Sequence, residues 1–330
     1  MACLHKAKYD NERPKASWPY AIGRDGKPVR WTDLVSAAIR SNRGICFVIL
    51  PLLPDSVLDE FLADDVPLLD LTTHVLAIGA KPGRMVFTAR NAMVVACAEE
   101  AARIIERAGG KVDLQTQSGE ALAAGALILN ATGPAQALLR AWKISQNLIE
   151  VAAGIATATR GIVDAARAVK PHVGIVCTRK NAPGTKLMSL KAILAGGATP
   201  HRLGLSETIL IFAEHRAFFE GTPPKEIIAL VRQAVAEKKI VVEVGSIDEA
   251  LLWASAGADV IQTEKFSPQD VETVCRALEK LPVKPHLAVA GGVNAGNAGA
   301  YASAGADVLV TSAPYWAKPC DVAVLLEAAC

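Results

Sequence analysis

The sequence has no surplus of charge. Across 330 residues the formal net charge is +2, with Lys and Arg spread among Asp and Glu rather than gathered in blocks. General nucleic-acid binding needs a basic face that displaces the counterions of the phosphate backbone. No nucleic-acid partner is therefore expected, and any anion site must be local. Long apolar runs are also missing. The longest near the start, Ile45–Leu53, contains Pro51 and is far short of the ~20 residues that cross a bilayer, so no membrane insertion is expected. The opening residues carry charges of both signs and no signal-peptide core, which points to a soluble, cytoplasmic chain. Paired cysteines are absent as a pattern. Cys3, Cys46, Cys97, Cys177, Cys275, Cys320 and Cys330 are odd in number and contain no Cys-x-x-Cys, so they read as free, mostly buried thiols of a reducing compartment.

What is present is apolar bulk and a changing rhythm. Hydrophobic residues make up 51% of the chain, enough for a large core, and the length suits two domains of about 100–200 residues each. Residues 1–46 stand apart: they are polar, with a Gly-Arg-Asp-Gly turn at 23–26 and a short helix expected over Trp31–Arg40. No function is assigned to them. From Pro54 the pattern becomes regular. Ser56 is expected to cap a short helix through Phe61. Strands are expected over Arg84–Arg90 and Met93–Cys97, then a helix over Glu99–Ala108 closed by Gly109-Gly110. Short strands over Lys111–Gln115 and Leu127–Ala131 complete a mixed α+β layer. A long helix follows from about Pro134, through Leu138–Glu150 and onward, broken or bent, past Gly154 to Val169. Its small residues, Ala152, Ala153, Gly154, Ala156 and Ala158, suit either close helix packing or a subunit interface.

After Pro171 short apolar strands alternate with amphipathic helices. The strands are Val173–Cys177, a second within Glu207–Phe212, Ile240–Val244, Asp259–Thr263, Leu287–Ala290 and Asp307–Thr311. Such alternation implies parallel pairing with helices outside. The heptapeptide Ala254-Ser255-Ala256-Gly257-Ala258-Asp259-Val260 recurs identically at 302–308. One helix–glycine–strand unit is thus used at least twice, which favours a barrel of repeated units over an open doubly wound sheet.

In a parallel α/β barrel the active site lies at the carboxyl ends of the strands. Arg179-Lys180 follow the first strand here, His201-Arg202 precede the second, and Glu243 sits within the third. Glu264-Lys265 follow the fourth, Gly291-Gly292 the fifth and Ser312 the sixth. Arginines and lysines hold carboxylates and phosphates. Paired glycines let a phosphate approach backbone N–H groups. Glu243 and Glu264 suit a Mg²⁺ that shares its shell with substrate phosphates and water. Singly, each has a plainer explanation: the arginines as rim salt bridges, His201 as a structural histidine, Gly291-Gly292 as a turn. A carboxylate in the apolar strand around Glu243 needs a partner or a metal. The weight lies in the common end at which all of them fall.

These residues also carry a resemblance. Thr178-Arg179-Lys180 with Pro183-Gly184, Gly196-Gly197 leading to His201-Arg202-Leu203-Gly204-Leu205, Asn147 with Gly154-Ile155-Ala156-Thr157, and Asp64-Asp65 with Asp70-Leu71-Thr72-Thr73 resemble, in order and spacing, the motifs of the quinolinate phosphoribosyltransferases. The stretch from Pro200 to Leu210, the Glu264-Lys265-Phe266 region and Thr311–Tyr315 are most similar to the ModD branch, which is linked to molybdate-transport operons. The resemblance covers about residue 49 to the end.

The resemblance implies an N-terminal α/β sandwich domain over 47–153, an incomplete parallel α/β barrel over 154–315, and a segment at 316–330 that returns to the sandwich. It implies a homodimer with shared active sites. It also implies transfer of the phosphoribosyl group of phosphoribosyl diphosphate, with Mg²⁺, to the nitrogen of an aromatic heterocyclic acid. Arg179, Lys180, His201 and Arg202 would line the acid pocket, with Lys143 reaching in from the other subunit. Glu243 and Glu264 would serve metal and ribose, with Lys180 beside the reacting groups, and Gly291, Gly292 and Ser312 would take a phosphate. Three departures stand out: Phe212 where the family has a lysine (followed by Ala213-Glu214 for Asp-Asn), Lys143 where it has an arginine, and Pro200 where it has an asparagine. A pocket that loses a cation and a two-pronged donor holds a dianionic pyridine less well, by roughly 1.5–3 kcal/mol per charge-assisted bond, so a mono-acid or another planar nitrogen heterocycle is expected. The alternatives are quinolinate phosphoribosyltransferase proper, a non-catalytic sensor of a phosphosugar or small anion, and a barrel aldolase with Lys180 or Lys265 as Schiff base. No cysteine cluster is present for a molybdenum cofactor.

Overall fold

The computed structural model describes residues 53–329, together with the two-residue strands Ala21–Ile22 (β1) and Pro28–Val29 (β2), which pair antiparallel. The expected turn at 23–26 and helix over 31–40 lie outside the described residues, as do Cys3, Cys46 and Cys330. Residues 1–48 and 49–330 form two separate units, and everything below belongs to the second.

The first layer begins with helices Asp55–Asp65 (α1) and Leu71–Val75 (α2). Ser56 does not cap α1. Pro54, held extended, occupies the cap position, and Asp55 in the first turn is bound by Arg103 and Arg107. Strand Pro82–Ala89 (β3) alternates buried and exposed residues, placing Met85, Phe87 and Ala89 in the core, as a half-buried strand must. A two-residue strand Met93–Val94 (β4) leads to helix Ala98–Arg107 (α3), which buries Ala101, Ile104 and Ile105. Glu99 and Glu100 fall in the first turn and Arg107 in the last, each matched to the helix dipole. Strands Lys111–Leu114 (β5), Ala121–Leu122 (β6) and Leu127–Pro134 (β7) follow. β7 runs past Ala131, where the sequence pattern ends it, because it pairs with β3 along its length to Pro82↔Pro134.

Helix Ala135–Arg167 (α4) is 33 residues long and unbroken. It continues through Gly154 as the sequence pattern allows, without interruption. A Cβ there would strike the carbonyl oxygen of Lys318, so the glycine serves a close backbone approach, and the small-residue stretch buries Ala152, Ala153 and Ala156. Beyond it come Gly174–Cys177 (β8), Lys186–Gly196 (α5), Thr199–Pro200 (β9), Ile209–Ile211 (β10), Ala213–Arg216 (α6), Pro224–Ala234 (α7), Ile240–Val244 (β11) and Ile247–Ser255 (α8). Val260–Glu264 (β12), Pro268–Leu278 (α9), His286–Ala290 (β13), Ala298–Ser303 (α10) and Val308–Thr311 (β14) complete the alternation. These strands form one parallel sheet in the order β10-β11-β12-β13-β14-β8-β9, curled but unclosed between β10 and β9. The last strand, Val322–Ala328 (β15), returns to pair antiparallel with β3 in the order β15-β3-β7-β5. The architecture is the expected α/β one: a small N-terminal sheet layer and an incomplete parallel barrel.

The repeated heptapeptide does the same work twice. Asp259 accepts the Ile240 N–H at 2.7 Å and pairs with Arg232 at 2.7 Å. Asp307 accepts the Leu287 N–H at 3.0 Å and pairs with Lys170 at 3.0 Å. Each aspartate thereby ties its own strand to the amino end of the neighbouring one. A second charged cluster joins the two layers. Lys191 of α5, wholly buried, binds Glu99 at 2.8 Å and also Glu100, both on α3. Ser118 donates its N–H and hydroxyl to Glu99.

Candidate active site

The carboxyl ends of the parallel strands enclose a cavity of about 740 Å³. Arg179, Lys180, His201, Arg202, Phe212, Glu243, Glu264, Gly291, Gly292 and Ser312 all line it. The order along the chain explains why. Arg179 and Lys180 follow β8, Phe212 follows β10, Glu243 and Glu264 lie at the carboxyl ends of β11 and β12, Gly291 and Gly292 follow β13, and Ser312 follows β14. His201 and Arg202 precede a strand in the sequence pattern, yet they fall at the same end. The two-residue β9 pairs with β8 as Val176↔Thr199 and Cys177↔Pro200, so His201 emerges at a strand's carboxyl end like the others.

Among the described residues, the side chains of Arg179, Lys180, Arg202, Glu214 and Glu264 make no hydrogen bond or salt bridge, although all five line one cavity. Arg202 instead lies over the Phe212 ring, 5.7 Å from its centroid. Burial and the neighbouring Arg202 charge push the His201 imidazole below its ordinary value, so it is neutral near pH 7. The Glu243 carboxyl is pushed up by burial, with the charges of Glu264 and Glu214 adding to the effect. Gln262 and Lys180 oppose the rise, Gln262 by donating its side-chain N–H to Glu243 Oε2 at 2.7 Å. Gln262 Oε1 has no partner among the described residues.

The rim is built by backbone geometry. Gly291 and Gly292 both have φ near +88°, at +88° and +87°. A Cβ on Gly291 would meet the Lys265 backbone N at 2.6 Å, whereas one on Gly292 would meet nothing within 4 Å. Gly292 thus leaves open space on the cavity side. Tyr315 donates its hydroxyl to the Thr178 carbonyl at 2.9 Å, tying the loop after β14 to the one after β8.

Lys143 stands apart. It lies on α4, does not line this cavity, sits 4.4 Å from the centroid of the Trp142 ring and donates to Gln146 at 3.2 Å. Residues that the sequence reading did not place in the site are Gln262, Glu214 and Asn294. Gln262 was legible, because it stands two positions before Glu264 on the same face of β12.

A sequence profile described as the quinolinate phosphoribosyl transferase N-terminal domain matches residues 70–153, and the C-terminal domain of the same family matches 155–325. The chain belongs to the quinolinate phosphoribosyltransferase family. Within that family it is 47% identical over 247 residues to ModD of Rhodobacter capsulatus, a protein provisionally assigned as a pyrophosphorylase, covering 75% of this chain and 95% of that one. It is 30% identical over 256 residues, 77% of this chain and 91% of the relative, to a protein of Methanothermobacter thermautotrophicus provisionally assigned as a carboxylating nicotinate-nucleotide pyrophosphorylase. The solved structure of NadC from Streptococcus pyogenes superimposes with a TM-score of 0.77 at 23% identity, over 85% of this chain and 98% of that one. That superposition speaks to the fold. The family's members are phosphoribosyltransferases, and the cavity of this chain lies at the end of the barrel where such chemistry would be held.

Proposed function

We propose that this chain is a phosphoribosyltransferase of the ModD kind, which moves the phosphoribosyl group of phosphoribosyl diphosphate onto the nitrogen of an aromatic heterocyclic acid. The observation that carries the reading is the unpaired charge. Arg179, Lys180 and Arg202 face the same cavity as Glu214, Glu243 and Glu264 without forming ion pairs among themselves. Arg179, Lys180 and Glu214 are exposed and Arg202, Glu243 and Glu264 half-buried, so all six are within reach of a substrate with both anionic groups and a developing positive centre. A sensor of a simple anion would gain nothing from carboxylates beside its ligand.

Mg²⁺ fits this donor set in a limited way. Among the described residues no three His, Cys, Asp or Glu side chains form a group able to hold a metal. Glu243 and Glu264 are close enough for one charge to raise the other's carboxyl, a repulsion that a cation between them would relieve. Mg²⁺ is commonly bound by one or two carboxylates plus substrate phosphates, so it would arrive with the diphosphate. Bound there, it would neutralise the charge building on the leaving diphosphate. Glu243 and Glu264 would stabilise the cationic ribosyl centre, with Lys180 beside them. Arg179, neutral His201 and Arg202 would grip the acid. The backbone N–H groups at Gly291 and Gly292, with Ser312, would hold a phosphate.

The acid bound here is one that carries less negative charge than quinolinate. The site offers a Phe212 ring where a cation would be needed for a second carboxylate, and its cations and carboxylates are equal in number, three of each. We further infer a cytoplasmic homodimer in which Lys143 reaches the partner's cavity, and a role alongside molybdate transport. Among the described residues, no helix is long and apolar enough to cross a membrane. Quinolinate phosphoribosyltransferase proper remains the second reading, favoured by the family match over residues 70–325.

The test is diphosphate release by the purified chain with phosphoribosyl diphosphate and Mg²⁺ across quinolinate, nicotinate and related heterocycles. Turnover with one acceptor is expected to fall at least about 100-fold in both Arg202→Ala and Glu243→Ala, by loss of charge stabilisation in the transition state. Release unaffected by either substitution would remove the cavity from the chemistry. Efficient turnover of quinolinate would establish the second reading.

A further inference from the structure

The unclosed seam of the barrel carries more information than the charge count. Its two edge strands are β10 and β9, and what spans them at the cavity end is Arg202, after β9, lying over the ring of Phe212, after β10, at 5.7 Å. The Phe212 ring is fixed from its other neighbour as well. It stacks on His215 with centroids 5.8 Å apart and planes inclined by 18°, and the Phe212 N–H donates to His215 Nδ1 at 3.0 Å. Among the described residues, Phe212 is the one Phe, Tyr or Trp lining the cavity, alongside the His201 imidazole. Phe212 and the Arg202 cation over it together offer a place where a flat anionic ring would be held.

Two residues along, Glu214 lines the same cavity, and no donor or cation among the described residues pairs with it. It shares that cavity with Phe212, Arg202 and Glu243.

We infer that the acceptor is a planar nitrogen heterocycle with one anionic group and one N–H hydrogen-bond donor, and that Phe212 and Glu214 select it: the ring lies on Phe212, the anion meets Arg202 and the N–H donates to Glu214. This deepens the phosphoribosyltransferase reading and rests on it. In the transfer, the ring nitrogen's lone pair forms the bond to C1 of the phosphoribosyl group, the C1–O bond to diphosphate breaks, and its electron pair leaves with the diphosphate. The donor N–H keeps its proton throughout. One negative charge on the acceptor is answered by Arg202, with Arg179 and neutral His201 beside it, and one donor is answered by Glu214. A dianion would use a second cation and leave Glu214 facing like charge.

The experiment compares quinolinate, nicotinate, 2-aminonicotinate and 6-aminonicotinate with the full chain, phosphoribosyl diphosphate and Mg²⁺. It reads both diphosphate release and, by calorimetry, binding of each acid. The better aminonicotinate is expected to exceed nicotinate in kcat/KM and in affinity by roughly 10-fold or more, the scale of one hydrogen bond to a charged group. That ratio should collapse toward one in Glu214→Leu, and Phe212→Lys should move preference toward quinolinate. A ratio near one in the unaltered chain, or one that survives Glu214→Leu, overturns the inference. If no acid is turned over but the Glu214-dependent binding preference is present, the recognition stands and the transferase reading falls. If neither turnover nor preference is found, both fall.

Discussion

At the amino ends of the barrel strands, Asp259 and Asp307 each accept a strand N–H and face a cation within 3.0 Å. At the carboxyl ends, the charges of Arg179, Lys180, Arg202, Glu214 and Glu264 have no partner among the described residues. The repeat that builds the barrel supplies the first set, and the loops between its copies supply the second. In such barrels the carboxyl-end face is where catalysis is found and the opposite face serves stability. The pairing state of each charge draws the same line here without any appeal to relatives. Charges that satisfy one another hold the fold together. Charges left without a protein partner are the ones available to a ligand.

The sharpest way to break that division is at the most deeply paired charge. Burial works against the Lys191 ammonium, but the Glu99 and Glu100 carboxylates outweigh it and hold its pKa above the ordinary value. Lys191→Met keeps the volume and strands the buried Glu100 carboxylate and the half-buried Glu99 one. A loss of about 3–5 kcal/mol is expected, the usual penalty for removing one partner of a buried pair, read as a lower midpoint in urea unfolding. Glu100 Oε1 already lacks a partner among the described residues, so adding Glu100→Gln to Lys191→Met should restore part of the loss. A Lys191→Met chain as stable as the parent would mean that buried pairing is not what holds the two layers together.

A smaller effect is expected at the amino ends of the strands. Burial tends to raise the Asp307 carboxyl, but the Leu287 N–H and Lys170 outweigh it and keep it below its ordinary value of 3.8. Asp307→Ala should cost about 2 kcal/mol, the scale of a hydrogen bond to a charged group, with kcat/KM unchanged. The pH dependence follows from the lowered value. The stabilisation is fully present above about pH 4 and is lost as the pH falls through the folded-state value. The difference between parent and variant should therefore shrink in acid. A fall in turnover without a fall in stability would put Asp307 on the wrong side of the division.

Much of this was legible in the sequence. Apolar four- and five-residue runs gave β8, β11, β12 and β13 to within a residue, and the duplicated heptapeptide pointed to a barrel because its glycine and aspartate recur at the same helix-to-strand turn. Ten of the residues singled out meet at one cavity because they follow successive parallel strands. What escaped depends on tertiary contact. β9 is two residues long and contains Pro200, so no periodicity announces it; only its pairing with β8 makes it a strand. Gly154 reads only as one of a run of small residues until the Lys318 backbone is seen against it. Ser56 looks like a cap until Pro54 and the Arg103 contact to Asp55 set the helix start. Glu214 becomes a cavity residue only because α6 begins immediately after β10.

The smallest expected effect has the opposite sign, and it separates the two kinds of charge most cleanly. Glu243 lies in an apolar strand, and burial, reinforced by Glu264 and Glu214, lifts its carboxyl above the ordinary value of 4.5. A raised carboxyl means that the folded chain binds more protons than the unfolded chain between the two values. Stability therefore falls as the pH rises from the ordinary value through the folded-state one, and the deficit persists at neutral pH. Glu243→Gln can keep the hydrogen bond from Gln262 and removes the charge. It should abolish turnover and yet raise the unfolding midpoint slightly at pH 7 in the presence of a chelator, with the gain fading below about pH 4.5, where the parent's carboxyl is protonated in both states. A lower midpoint in Glu243→Gln would mean that the carboxylate is held by the protein itself, and the charges of the cavity would then have to be counted among those that build the fold.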